Sequence, residues 1–252
     1  MFEKLNKGIS AIKKMIPEDI RREKSVFKEW FKRKIVDLAR KKIPRLKTPM
    51  DMVILTLKAY NILPKPLIAL DLFGGHGLLV TADYVPYCDY FEMWEIIPLY
   101  AKFAKRFLPK AVVNVGDSIK AIKEGKLLRR DYNFIVIDNP QGIFNEATEY
   151  CEYFDLFPEI FNYIDVKKTF FVTNASLDVE EYIKTYPYFS AQLDKWLKKR
   201  KEFYNMDAKK IYPEQLEKIL RDKFKNWGVK VKKYFFIPRT SVAGFQVIEV
   251  EK

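Results

Sequence analysis

Residues Leu67 to Gly77 read LIALDLFGGHG, and the fold of the chain turns on them. Leu67, Ile68, Ala69, Leu70 and Leu72 make a short apolar run broken only by Asp71, the pattern of a strand buried on both faces of a parallel sheet. Gly74, Gly75 and Gly77 follow, and then Leu78 to Ala82, which reads as the start of a helix. Strand, glycine turn and helix together bring backbone N–H groups and a helix N-terminus close to a ligand. Asp71 stands near the strand's end, where a carboxylate can face the crevice. A bare G-x-G after a strand can also be a tight turn with no ligand.

The segments downstream extend this unit. Cys88 to Trp94 (CDYFEMW) is a second largely apolar run, ending at Glu95, which lies at the distance of a ribose-binding acid in a nucleotide-binding βαβ unit. Ala111 to Val115 (AVVNV) is a third strand, followed by Gly116 and Asp117. Tyr132 to Ile137 (YNFIVI) is a fourth, ending in Asp138-Asn139-Pro140. Phe170 to Thr173 is a fifth. Val229 to Ile237 and Phe245 to Val250 are two more, joined by residues 238–244. So short a connection makes that last pair antiparallel, since a parallel pair needs a crossover of a dozen residues or more.

This order of strands and loop-borne acids resembles the class I S-adenosylmethionine-dependent methyltransferases over roughly residues 48–252. The form Asp71-Leu72-Phe73-Gly74-Gly75-His76-Gly77, with Phe73 where many small-molecule enzymes carry the first glycine, is more typical of family members that modify DNA or RNA. The resemblance implies an α/β fold, a Rossmann-like seven-stranded sheet ending in an antiparallel hairpin. It implies S-adenosyl-L-methionine as cofactor, held by Asp71, Phe73, Gly74, Gly75, His76 and Gly77 at its methionine end. Glu95 is then on the ribose hydroxyls, with Asp117 and Ser118 beside the adenine. It makes Asp138, Asn139 and Pro140 the catalytic motif. There Asn139-Pro140 matches the family's first half, while Gln141 and Gly142 replace a second proline and an aromatic residue; Phe144 is the nearest aromatic substitute. His76 reads first as a plain loop residue. Neither cysteine, Cys88 or Cys151, lies in the reaction loop, which excludes the thiolate chemistry of cytosine C5 methylation.

Composition sets outer bounds. The chain has 252 residues, 48% hydrophobic and 31% charged, enough for one core with an appended subdomain. Two cysteines and one histidine make no disulfide framework, zinc spacing or histidine metal cluster. No apolar run reaches membrane-spanning length and no secretory signal is visible, so a cytoplasmic protein without a membrane partner is expected. The formal charge is +13, and residues 1–50 hold 16 Lys and Arg against 6 Asp and Glu.

Residues 1–47 read as a basic helical extension, with amphipathic helices over 5–16 and 25–42 and a break at Ile43 to Lys47. In the second helix Val26, Phe27, Trp30, Phe31, Ile35, Leu38 and Ala39 form one apolar stripe expected to pack on the domain. Trp30 and Phe31 as base-stacking platforms are the lesser alternative. Thr48-Pro49-Met50-Asp51 starts the main domain, with a capping threonine and a first-turn proline and acid.

Residues 176–228, between the fifth and sixth strands, exceed a simple crossover and read as a helical insertion or lid, with helices over 177–184 and over 189–204 or 213–226. Its basic run at residues 195–201 and its aromatics Tyr186, Tyr188, Phe189 and Trp196 suit either a nucleic-acid-facing surface or a buried aromatic face. Residues 146–164 read as a helix broken at Pro158.

Three functions remain open at this level. One is a methyltransferase for RNA or DNA, contacting nucleic acid through the basic N-terminal helices and the 195–201 run. Another is a methyltransferase for a small molecule or protein side chain. The third is a catalytically inactive nucleic-acid-binding protein with the same fold. The oligomeric state is not legible.

Overall fold

The computed structural model describes residues 24–42, 47–78, 80–138, 153–185 and 187–252. The expected helix over 5–16, the break after Ile43, the residues Asn139, Pro140, Gln141, Gly142, Phe144 and Cys151, the first part of the 146–164 segment and Tyr186 lie outside them, as do the side chains of Phe27, Tyr188 and Phe189. The elements run α1 (Lys24–Lys42), α2 (Pro49–Ala59), β1 (Ile68–Asp71), α3 (Val80–Tyr84), β2 (Tyr90–Glu95), α4 (Pro98–Phe107), β3 (Val112–Val115), α5 (Ser118–Lys123), β4 (Phe134–Ile137), α6 (Phe157–Tyr163), β5 (Lys168–Ser176), α7 (Val179–Thr185), α8 (Leu193–Tyr204), α9 (Pro213–Asn226), β6 (Lys230–Pro238) and β7 (Ala243–Glu251).

The strands form a single seven-stranded sheet in the order β3-β2-β1-β4-β5-β7-β6. The first five are parallel, and β7 is antiparallel to both β5 and β6. The chain thus adopts the expected architecture, a Rossmann-like sheet closed by an antiparallel hairpin. The strand order reverses beside β1, which puts a crevice at the carboxyl ends of β1 and β4. All four residues of β4, FIVI, are buried, as a central parallel strand covered on both faces requires.

Alternation along the strands sorts the core into two layers. Leu70, Ile135, Ile137, Phe171 and Ile248 face one way, against Ala121 and Ile122 of α5, Phe157 and Phe161 of α6 and Leu220 and Phe224 of α9. Ala69, Met93, Phe134, Val136, Val172 and Phe245 face the other, against Val53 and Leu57 of α2, Tyr84 of α3 and Ala101 and Ala104 of α4. Each large apolar side chain so buried contributes roughly 1.5–3 kcal/mol. Helix α2 starts as its sequence predicts: the Thr48 hydroxyl accepts from Asp51 N (3.2 Å) and the Asp51 carboxylate accepts from Thr48 N (2.8 Å).

Several expectations are corrected. The boundary expected at Pro158 is a helix start: a 3-10 turn at Phe154–Leu156 ends just before α6, and Pro158 occupies the first turn of that helix, where its missing N–H costs nothing. The insertion holds both candidate helices, α8 and α9, as well as α7. Its Trp196 is buried against Tyr182, which favours the buried aromatic face over a stacking surface. Arg200, counted in the basic run, is fully buried, donating to the Ala208 carbonyl (2.8 Å) and the Ser176 carbonyl (3.1 Å). Lys195, Lys198 and Lys201 are exposed.

Helix α1 follows its predicted stripe only in part. Val26 and Trp30 pack with Leu78 and Phe103, which removes Trp30 as a stacking platform, whereas Ile35 and Leu38 are 47% and 43% exposed. The rest of the docking is ionic. Buried Asp83 takes Arg33 at 2.5 Å and Arg40 at 3.2 Å, and the Thr48 hydroxyl donates to its other oxygen at 2.7 Å. Arg40 also pairs with Asp51. These two arginines of the basic extension are therefore spent inside the molecule.

Candidate active site

The turn after β1 is held by backbone contacts with its neighbouring strands. Leu72 N donates to the Val136 carbonyl (3.1 Å), Gly74 N to the Trp94 carbonyl (3.1 Å) and Gly77 N to the Gly74 carbonyl (3.0 Å). A Cβ on Gly74 would lie 2.3 Å from Met93 Cε, so the turn sits directly on β2. Gly77, at φ +70°, would place one 2.6 Å from Leu108 Cδ1. Gly75 differs: its φ is +55°, yet nothing lies within 4 Å of where a Cβ would stand. Here the backbone is left-handed and faces open space, as a ligand cradle requires.

Asp71 ends β1, almost fully buried at 2% exposure. One carboxylate oxygen accepts from Phe73 N (3.1 Å); the other accepts from the Thr81 hydroxyl (2.9 Å) and the Tyr84 hydroxyl (2.6 Å). Burial pushes its carboxyl up to about 6 against the pull of these donors, with a small further push from Asp138. Phe73 packs on Tyr153 at 4.7 Å, so its side chain belongs to the core layer. His76 lies against the Tyr100 ring at 3.8 Å; burial pushes its imidazole down to about 4, which keeps it neutral at pH 7, and its Nε2 has no hydrogen-bond partner among the described residues.

Glu95 ends β2 beside this turn. Its carboxylate accepts from Ile97 N at 2.8 Å and also takes backbone hydrogen bonds from Gly75 and Ile96. Burial raises its pKa against those bonds. Asp117 is exposed and caps α5, accepting from Ile119 N (2.8 Å) and Lys120 N (3.1 Å), and Ser118 is buried behind it. Gly116 N donates to the Glu95 carbonyl (3.0 Å), which brings the ends of β2 and β3 together. The structure thus gathers Asp71, the glycine turn and Glu95, with Asp117 one strand further out.

Asp138, at the end of β4, is half-buried on the other side of β1. Its carboxylate accepts from Arg239, at 2.5 Å, and the Arg239 guanidinium lies over the Phe245 ring at 4.4 Å. The parallel register pairs Ile137 with Thr173, so Asp138 and Asn174 are neighbours, and Asn174 in turn pairs with Phe245. A cavity of about 430 Å³ opens here, lined among others by Asp138, Asn174, Arg239, Thr240, Tyr182 and Met50. Arg239, Asn174 and Tyr182 are residues that motif reading misses. One signal was available: β6 runs parallel to β5, so the turn after β6 must fall at the carboxyl end of the sheet, and Arg239 is in that turn.

No family model matches the sequence, and no curated protein matches it. Among solved structures, a candidate RNA methyltransferase from Pyrococcus horikoshii is similar at 12% identity over 81% of this chain and 83% of its own, with a TM-score of 0.44. M. jannaschii TYW2 in complex with AdoMet is similar at 9% identity over 83% and 80%, TM-score 0.45. Magnesium protoporphyrin IX methyltransferase from Synechocystis PCC 6803 with bound SAH is similar at 12% identity over 93% and 97%, TM-score 0.48. Overlaps this loose bear on neither activity nor acceptor. Among the described residues no helix is long and apolar enough to cross a membrane, and no group of three or more His, Cys, Asp or Glu could hold a metal ion.

Proposed function

We propose that the chain is an S-adenosylmethionine-dependent methyltransferase acting on RNA or DNA. The observation that carries the reading is the junction of β1 and β2. A left-handed glycine, Gly75, faces open space while its N–H is tied to the Glu95 carboxylate at the neighbouring strand end. The layout suits the cofactor: the open side of Gly75 leaves room for the methionine end, Glu95 lies beside it for the ribose, and Asp117 with Ser118 lies towards the adenine. Asp71, its oxygens taken by Phe73 N, Thr81 and Tyr84, and the internally bonded N–H groups of Gly74 and Gly77 hold the turn in shape. When bound, S-adenosylmethionine supplies a methyl group already activated on a sulfonium.

The chain's own work is then to orient the acceptor and manage its proton. Asp138, held by Arg239, offers a carboxylate oxygen to an acceptor N–H or O–H, and Asn139 and Pro140 follow it in sequence. The net charge of +13 and the exposed Lys195, Lys198 and Lys201 support an anionic partner. The burial of Arg200 and the pairing of Arg33 and Arg40 with carboxylates weaken it. A cavity of about 430 Å³, within the range of about 300–1,000 Å³ usual for small ligands, keeps a small-molecule acceptor as the second reading.

Incubation with methyl-labelled cofactor and pooled RNA, DNA or protein separates the two. The proposal expects label in nucleic acid, with a yield that falls as salt rises from 50 to about 200 mM. Label only in protein or in small molecules would overturn it.

A further inference from the structure

We propose that the cavity between the ends of β4 and β5 and the β6–β7 turn receives the hydrogen-bonding edge of a nucleobase, with Asn174 and Arg239 reading that edge. The inference rests on the methyltransferase reading above and names the acceptor class for the same site. Its starting point is an unfilled valence. Asn174 Oδ1 is buried and accepts no hydrogen bond among the described residues, although its residue lines the cavity. A buried acceptor left unmade is costly, so a donor is expected to meet it.

The neighbouring groups define that donor's molecule. Asp138, next to Asn174 across the β4–β5 register, also accepts hydrogen bonds. Arg239, 2.5 Å from Asp138, only donates, and one guanidinium has five N–H groups, more than this carboxylate contact uses. Of the other polar lining groups, Asp83 and Thr48 are bound to each other and Asp83 to Arg33 and Arg40, and the Thr240 hydroxyl accepts from Val242 N. The end of the cavity at Asn174 therefore offers a ligand the Asn174 and Asp138 acceptors beside the Arg239 donor. A free phosphate or carboxylate fits poorly, because the Asp138 carboxylate and the Asn174 carbonyl both oppose an anion and the Arg239 charge is already balanced. An amine cation fits poorly beside Arg239. A neutral group whose N–H or NH₂ lies next to a ring nitrogen or carbonyl satisfies all three, and that alternation is the edge of a nucleobase.

Met50, Val80 and Phe245 supply apolar lining around those polar groups. The volume of about 430 Å³ suits one base and not a duplex, so the target must be unpaired or turned out of its stack.

The test compares the wild-type chain with Asn174→Leu, Asn174→Gln and Arg239→Leu, and uses Arg239→Lys as the conservative control. Two quantities are read: cofactor affinity by calorimetry, and kcat/KM for methyl transfer to pooled RNA and DNA. The expected result is a loss of roughly 10- to 100-fold in kcat/KM for Asn174→Leu and Arg239→Leu, with cofactor affinity unchanged. Arg239→Lys should recover part of the loss. Asn174→Gln, which keeps the amide but moves it by one methylene, covers the case in which the leucine variant does not fold, and should show the same loss. Wild-type transfer rates in the Asn174 and Arg239 variants would overturn the inference. So would a wild-type chain that binds cofactor yet methylates no nucleic acid. A wild-type chain that does not bind the cofactor would overturn the methyltransferase reading and this inference with it.

Discussion

The crevice at the carboxyl ends of the strands has two halves built in different ways. On the β1–β2 side, Asp71, Gly74, Gly75 and Gly77 lie within one turn of chain, and Glu95 is the end of the next strand. On the β4–β5–β7 side, Asp138, Asn174 and Arg239 come from three separate segments and meet only because the sheet places them together. The first half depends on backbone conformation, the second on side chains. Substitutions in the first should therefore disturb folding and cofactor binding together, and those in the second should disturb the acceptor alone.

The largest effect is expected at Gly77. Valine there would hold a β-branched residue at φ +70° with its Cβ 2.6 Å from Leu108. Left-handed strain and overpacking together cost about 2–5 kcal/mol. Urea denaturation should report that loss, while Arg239→Leu, which removes one partly exposed ion pair from Asp138, should cost only about 1 kcal/mol. Equal destabilisation by the two would break the contrast between the halves.

Arg200 sharpens it from another side. Its guanidinium serves the Ala208 and Ser176 carbonyls, and Arg200→Leu leaves both without that donor, at a cost of about 2–4 kcal/mol. Nucleic-acid affinity at permissive temperature should not change. A variant of normal stability with weakened nucleic-acid binding would return Arg200 to the surface footprint.

Titration gives the next effect. Burial pushes the Asp71 carboxyl up to about 6 from its ordinary 3.8, so the folded state holds this proton more tightly. The associated stability is complete below pH 3.8 and is lost as pH rises through 6, on the order of 2–3 kcal/mol. His76 acts in the opposite sense: its pKa is lowered to about 4 from 6.5, so stability is lost as pH falls from 6.5 towards 4. In Asp71→Asn the His76 contribution is opposed only by the smaller upward shifts of Glu95 and Glu29, and the melting temperature should fall on acidification through that window. A melting temperature in Asp71→Asn that rises on acidification would contradict the His76 assignment, and the same pH dependence in wild type and variant would contradict the Asp71 one.

The smallest expected effect is chemical. Burial pushes the Cys88 thiol up to about 12, so alkylation at pH 8 should be many-fold slower than for a free thiol, and should leave cofactor binding unaltered because Cys88 precedes β2 at the end of the sheet away from the crevice.

The same division governs what could be read from the sequence. The glycine turn, Glu95 and the final hairpin were legible because local spacing determines them: 18 residues from Gly77 to Glu95, and a connection between the last two strands, read as residues 238–244 and four residues long in the structure, that is too short for a crossover. Asn174 and Arg239 were not, since their meaning depends on strand order, which no local pattern carries. Arg200 and Lys201 are adjacent in one basic run, yet one is buried and the other exposed, because helical period decides burial where charge does not. Helix α1 misled for a related reason: its apolar stripe is only half covered, and Arg33 and Arg40 face inward to Asp83.

The most direct measurement is calorimetric titration with S-adenosylmethionine of the wild type, Glu95→Ala, Glu95→Gln and Arg239→Leu. The account predicts binding in the wild type and in Arg239→Leu, and its loss or a weakening of at least tenfold in both Glu95 variants. Binding that survives in the Glu95 variants and disappears in Arg239→Leu would place the cofactor in the wrong half of the crevice and contradict the account.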